Sequence, residues 1–149
     1  MSYDVNEYEF GSVLKLSGSE RYEYFIQKIA DWEELWSIRD SEGWGLMRDD
    51  SGKELVPIWP AEKYASACCT GVWEGYSPNN IPLDYWLEKW IPGMLKDDRL
   101  CAVFPLPTDK GVVVGPERLE KDISEALSQY ESSFYGSHAG AWEPYENQE

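Results

Sequence analysis

Leu35-Trp36-Ser37-Ile38-Arg39-Asp40-Ser41-Glu42-Gly43-Trp44-Gly45-Leu46-Met47-Arg48-Asp49-Asp50-Ser51-Gly52-Lys53-Glu54-Leu55-Val56-Pro57-Ile58-Trp59 decides the fold class of this chain. Short apolar runs are cut by Asp-Ser-Glu-Gly at 40–43 and Asp-Asp-Ser-Gly-Lys at 49–53. In such clusters glycine accepts positive φ, and Asp or Ser caps local backbone groups, which makes turns. The reading is three antiparallel strands, at about 35–39, 44–48 and 54–59, joined by hairpins. Pro57 has no N–H for the ladder and is expected at a sheet edge or a bulge.

Upstream, Ser17-Gly18-Ser19-Glu20 has the spacing of a capping box. Tyr22, Phe25, Ile26 and Ile29 follow at i, i+3, i+4 and i+7, one face of a helix that must face the core. Downstream, Pro60 suits a first helical turn, Ala61, Tyr64, Ala65 and Cys68 repeat the stripe, and Gly71 stops it. A short strand is expected at Val72–Tyr76, then a loop at Ser77-Pro78-Asn79-Asn80. Leu83, Trp86, Leu87, Trp90, Ile91, Met94 and Leu95 form the longest amphipathic pattern, in which Pro92 predicts a kink or a restart. Leu100–Phe104 and Gly111–Val114 look like a buried strand pair, and a last helix carries Leu119, Ile123, Ala126, Leu127 and Tyr130. The expected order is α-β-β-β-α-β-α-β-β-α. This is an α+β single domain with a mainly antiparallel sheet of about five or six strands and about four helices packed on it.

The domain is placed at 17–130, after an N-terminal extension at 1–16 and before an acidic aromatic tail at 131–149. The tail has no sustained period and is read as disordered, unless Phe134, Tyr135, Trp142 and Tyr145 dock on the body or a partner. Of the net charge of −15, residues 1–14 carry −3, residues 131–149 carry −4 and the body −8. A chain of 149 residues with 15% aromatic side chains can build a core despite that charge. The charge repels phosphate, which argues against nucleic acid, and attracts basic proteins. The first residues have neither a basic segment nor an apolar run, and no stretch is apolar enough to span a bilayer. Cys68, Cys69 and Cys101 read as reduced thiols, so a cytoplasmic location is expected.

Chemistry is sparse in the pattern. The single His, His138, lies in the tail beside Gly and Ser, far in sequence from any ordered element, so a Ser-His or Cys-His arrangement would need that tail to fold back. Three Cys without a CxxC spacing do not make a zinc site, and the Asp/Glu clusters match no calcium loop. No phosphate-binding glycine motif is present. No cofactor, metal or catalytic residue is therefore assigned. What stands out is eight tryptophans: 32, 36, 44, 59, 73, 86, 90 and 142. Trp86 and Trp90 lie on the helical stripe and read as core. Trp44, Trp59 and Trp73, with Tyr64 and Tyr76 nearby, either pack the core or line a binding surface. Glu74, Asp84 and Arg39 would be the polar groups of such a site.

Arg21-Tyr22-Glu23-Tyr24-Phe25, Ala30-Asp31-Trp32-Glu33-Glu34-Leu35-Trp36, Gly43-Trp44-Gly45-Leu46 and Val56-Pro57-Ile58-Trp59-Pro60 with Tyr64-Ala65 resemble segments of an uncharacterised bacterial family, the domain of unknown function 2750. Leu83-Asp84, Leu87-Glu88-Lys89-Trp90-Ile91-Pro92-Gly93, Val103-Phe104-Pro105 and Gly111-Val112-Val113-Val114 extend the likeness over about residues 18 to 130. The resemblance implies a small bacterial cytosolic α+β protein and transfers no activity. The leading expectation is a non-enzymatic interaction module, immunity-like or decoy-like toward a basic protein. The alternative is a small-molecule binding or hydrolytic domain with an aromatic-lined pocket. The pattern leaves the oligomeric state open.

Overall fold

The computed structural model describes residues 4–136. Helix α1 (Glu7–Leu14) is capped by Asn6, whose Oδ1 accepts from Glu9 N at 2.8 Å. Val5 and Val13 are buried against the rest of the chain. The segment set apart as an extension thus holds a helix that contributes to the core. Helix α2 (Gly18–Trp32) opens with both bonds of the capping box, Glu20 N to Ser17 Oγ at 3.2 Å and Ser17 N to Glu20 Oε1 at 3.0 Å. Phe25, Ile26 and Ile29 are buried as their spacing requires, and Tyr22 is half-buried.

Strands β1 (Glu34–Asp40), β2 (Gly43–Trp44), β3 (Met47–Arg48) and β4 (Glu54–Ile58) follow. The single strand expected at 44–48 is split: β2 pairs with β1, while β3 pairs with β4. The change of partner occurs at Gly45, whose N–H donates to Ile38 O. A Cβ there would stand 3.1 Å from Ile38 Cγ1 and 3.3 Å from a Tyr76 ring carbon, so any larger residue would press on both side chains.

Helix α3 (Glu62–Ala67) precedes a 3-10 turn at Gly71–Trp73. The strand expected at Val72–Tyr76 does not form, because Gly71 (φ 60°) and Gly75 (φ 93°) turn the backbone out of the extended region. The expected loop is instead strand β5 (Ser77–Pro82), antiparallel to β1 from Arg39–Ser77 to Glu34–Pro82. Its prolines are tolerated because β5 is an edge strand. Helix α4 (Leu83–Tyr85), a π turn at Trp86–Trp90 and helix α5 (Ile91–Asp97) continue one another. Pro92 falls in the first turn of α5, so the expected restart occurs through a π turn. Strands β6 (Leu100–Val103) and β7 (Val112–Val114) precede helix α6 (Pro116–Gly136). Helix α6 runs beyond Tyr130, and the tail after Gly136 lies outside the described residues.

The fold is α+β with two sheets, ordered β2-β1-β5 and β3-β4-β6-β7. All pairs are antiparallel except β4–β6. The sheets are joined where Trp36 and Trp59 exchange both backbone hydrogen bonds, at 2.8 and 2.9 Å. Pro57 therefore lies in a central strand, not at an edge. It sits in the gap between the β3 pairing and the Trp36–Trp59 bridge, and its carbonyl accepts from Ser37 Oγ at 2.7 Å. Helix α2 packs against α6, β1 and β7, and α3 against β1 and β5. Trp59, Trp86, Arg21, Tyr64, Phe25 and Phe104 are the bulkiest fully buried side chains.

Candidate functional site

The expected binding residues do not converge. Trp59 and Tyr64 are core: Trp59 Nε1 donates to Pro105 O at 2.9 Å, and Tyr64 packs on Phe10 and Phe104 with its hydroxyl 2.8 Å from that of Tyr24. Trp73, half-buried, stands edge-on to Trp59 at 6.2 Å. It lines an open groove of about 690 Å³ shared with the loop at 105–110. Tyr76 is half-buried beside Gly45. Glu74 and Asp84 are exposed, and the Asp84 carboxylate accepts from Tyr85 N at 2.7 Å, so it serves the local turn. The structure brings Arg39 to Trp44 and, separately, Trp73 to Trp59, and it gathers the expected residues into no single site.

The β1–β2 hairpin explains the juxtaposition of Arg39 and Trp44. Asp40 Oδ1 accepts from the N–H groups of Glu42 (2.9 Å) and Gly43 (3.2 Å), and Gly43 takes φ 147°. This tight turn sets Arg39 directly opposite Trp44 in the ladder. The Arg39 guanidinium carbon stands 5.0 Å from the Trp44 ring centre, a cation–π contact. Opposite the hairpin, the π turn presents Trp90. Its ring stacks on buried Trp86 at 5.3 Å and meets Trp44 edge-to-face at 4.9 Å and 84°. Between hairpin and helix lies a groove of about 720 Å³, to which Tyr85, Lys89, Gly93, Asp97 and Arg99 also contribute.

Sequence reading did not find Tyr85, Lys89, Trp90, Gly93 or Arg99 as site residues. It assigned Trp90 to the core with Trp86, since both fit an ideal helical stripe. Trp90, in the π turn, does pack against the core through Trp86 but is only half-buried and also lines the groove. Arg99 is held by Glu54 (2.7 Å) and Asp97 (3.3 Å), and its hydrogen bond keeps the Glu54 carboxyl below the usual range. A further groove, of about 560 Å³, lies between α2, β7 and α6. There Tyr22 donates to Asp122 Oδ2 at 2.5 Å, while burial and that carboxylate raise the phenol above its ordinary value.

Among the described residues no group of three or more His, Cys, Asp or Glu side chains could hold a metal ion. Among them also, no helix is long and apolar enough to cross a membrane. Cys68 is pushed up to about 11 and Cys101 to about 12, chiefly by burial. His138 lies outside the described residues.

In comparison with known proteins, the family described as protein of unknown function (DUF2750) matches residues 22–123, which span the whole groove. No curated protein and no solved structure matches the chain.

Proposed function

Because the chain belongs to the DUF2750 family, for which no activity is described, we propose from its geometry that it is a non-enzymatic binding module of the bacterial cytosol that recognises a ligand in the Trp44–Trp90 groove. The observation that carries this reading is the aromatic wall. Two indoles meet edge-to-face beside about 720 Å³ of open space, within the size range of ligand sites and with polar groups at its rim. Among the described lining residues there is no Ser, Thr, Cys or His, so the groove has no hydroxyl or thiol nucleophile paired with an imidazole base. Three free cysteines support a reducing compartment.

Gly93 supplies the test. A Cβ at this position would meet nothing within 4 Å, so the backbone tolerates a side chain here and Gly93→Leu places one at the groove. Fragments screened by saturation-transfer NMR should give hits that this variant loses. Hits that persist undiminished in Gly93→Leu, or no hits with the wild type, would overturn the reading.

A second reading, association with a basic protein, is favoured by the charge of −15 and by Glu23, Asp122 and Glu125 around the α2–α6 groove. A Lys-rich peptide should then shift amide resonances of α2 and α6, and the shifts should fade as salt rises. Shifts scattered over the whole surface would count against it.

A further inference from the structure

We infer that the ligand of the Trp44–Trp90 groove is an anion borne on a flat ring, a carboxylate or phosphate joined to an aromatic body. Arg39 and Lys89 receive the charge, and the indole wall receives the ring. This assignment rests on the groove being the recognition site and names the chemistry that the site selects.

The charge pattern points to an anion. The chain has 28 acids and 13 bases, and four of its five arginines each hold a carboxylate: Arg21 on Asp109, Arg48 on Glu54, Arg99 on Glu54 and Asp97, Arg118 on Asp122. Arg39 has no ion pair among the described residues, although acids outnumber bases about two to one. It stands instead over the Trp44 ring. A guanidinium held over an indole keeps planar N–H donors that match the two oxygens of a carboxylate or phosphate. Lys89, across the groove on the π turn, is exposed and also has no ion pair among the described residues. Of the two acids at the groove, Asp97 is engaged by Arg99, which leaves Glu42 against two cations. Among the charged side chains that line the groove, cations thus outnumber the acids left without a partner.

The apolar half of the site is aromatic. Trp44 and Trp90 meet at right angles and both line the groove, as does Tyr85, which is 52% exposed. Such walls favour flat rings, which bury area at small entropic cost. Gly93 leaves the space beside Met94 unfilled. A polyanion is disfavoured, because beyond these two cations the acidic body repels further phosphates.

Calorimetric titration with four probes tests the assignment: phenyl phosphate, 3-phenylpropionate, benzyl alcohol and inorganic phosphate. Phenyl phosphate or 3-phenylpropionate should bind at least about tenfold more tightly than benzyl alcohol or inorganic phosphate. The ratio of the first two identifies the preferred anion. The double variant Arg39→Gln with Lys89→Gln should remove that advantage and leave benzyl alcohol unchanged, while Gly93→Leu should weaken every probe. Thermal midpoints near wild type establish folding, and Lys89→Gln alone serves if the double variant fails to fold. Equal binding of neutral and anionic rings, still blocked by Gly93→Leu, overturns the anion assignment and leaves the groove as the site. No saturable binding by any probe, or binding indifferent to Gly93→Leu, overturns both.

Discussion

The Arg21 guanidinium donates from Nε to the backbone carbonyl of Phe104 at 3.2 Å and stands 5.7 Å from the centre of the Phe104 ring, linking α2 to a residue 83 positions later. Arg21 is 2% exposed, and its two other nitrogens reach Leu16 O and Asp109 Oδ2, each at 2.9 Å. Phe104 needs such support, since it holds φ 58°, a left-handed conformation that costs a non-glycine residue about 1–3 kcal/mol. Trp59 Nε1 and Cys68 Sγ both donate to the next carbonyl, that of Pro105. The turn after β6 is thus fastened from three directions.

Replacing Arg21 with Met should destabilise the chain by about 2–4 kcal/mol, because buried carbonyl oxygens lose their donors. Arg21→Lys should recover only a minor part, since one ammonium cannot reach three acceptors on different segments. Urea midpoints of the three proteins check this. A Met variant as stable as wild type would show that packing alone holds the turn.

Acid should expose the other end of the same clamp. Gly111 N–H, donating at 2.8 Å, and then Arg21 hold the Asp109 carboxyl below the usual range. A depressed folded value means that the stabilisation is present above the unfolded Asp value of about 3.9 and is lost as pH falls through the lower folded value. Asp109→Asn should therefore be less stable than wild type at neutral pH and should lose less below about pH 4. The gap is modest, because this carboxylate is 44% exposed. Denaturant midpoints measured across acid pH should converge, and parallel curves would refute the assignment.

Two glycines should respond in opposite directions. At Gly111 (φ 76°) a Cβ would come 2.3 Å from Val103 O, so Gly111→Ala should cost more than about 2 kcal/mol in strain and displaced backbone. Gly93, in α5 with open space at its Cβ, should gain up to about 1 kcal/mol on substitution by Ala. Thermal midpoints moving the same way for both would contradict the backbone account.

Thiol reactivity should follow burial. Cys68 and Cys101 are buried and pushed up to about 11 and 12, while Cys69 is raised less and is half-buried. Iodoacetamide at about pH 8 should modify Cys69 first and the other two only on unfolding. Mass spectrometry of peptides after a timed reaction reads this directly, and early adducts on Cys101 would mean that β6 opens readily.

Much of the fold is legible because the signals are local. The capping box at Ser17 and Glu20, the stripe of Phe25, Ile26 and Ile29, and the apolar runs of β4, β6 and β7 each need only neighbouring residues to be read. Strand β5 is different. Ser77-Pro78-Asn79-Asn80 has the composition of a turn and becomes a strand because β1 offers a whole edge of unpaired backbone groups. Arg21 looks like a helix flank in sequence, yet the turn after β6 closes over it. The groove was half visible: Arg39 and Trp44 face each other across a short hairpin, but Trp90 joins them only when a distant segment packs on that hairpin.

The sequence by itself determined the α+β class, most element positions, the acidic character and the abundance of indoles. Tertiary structure decided which indoles are core and which form a wall, which arginine has no carboxylate partner among the described residues, and how one expected sheet became two joined at Trp36 and Trp59. The physical reason is range. Helix caps and hairpin turns are settled by interactions over a few residues, whereas burial, charge pairing and strand partnership depend on groups brought together only when distant segments pack.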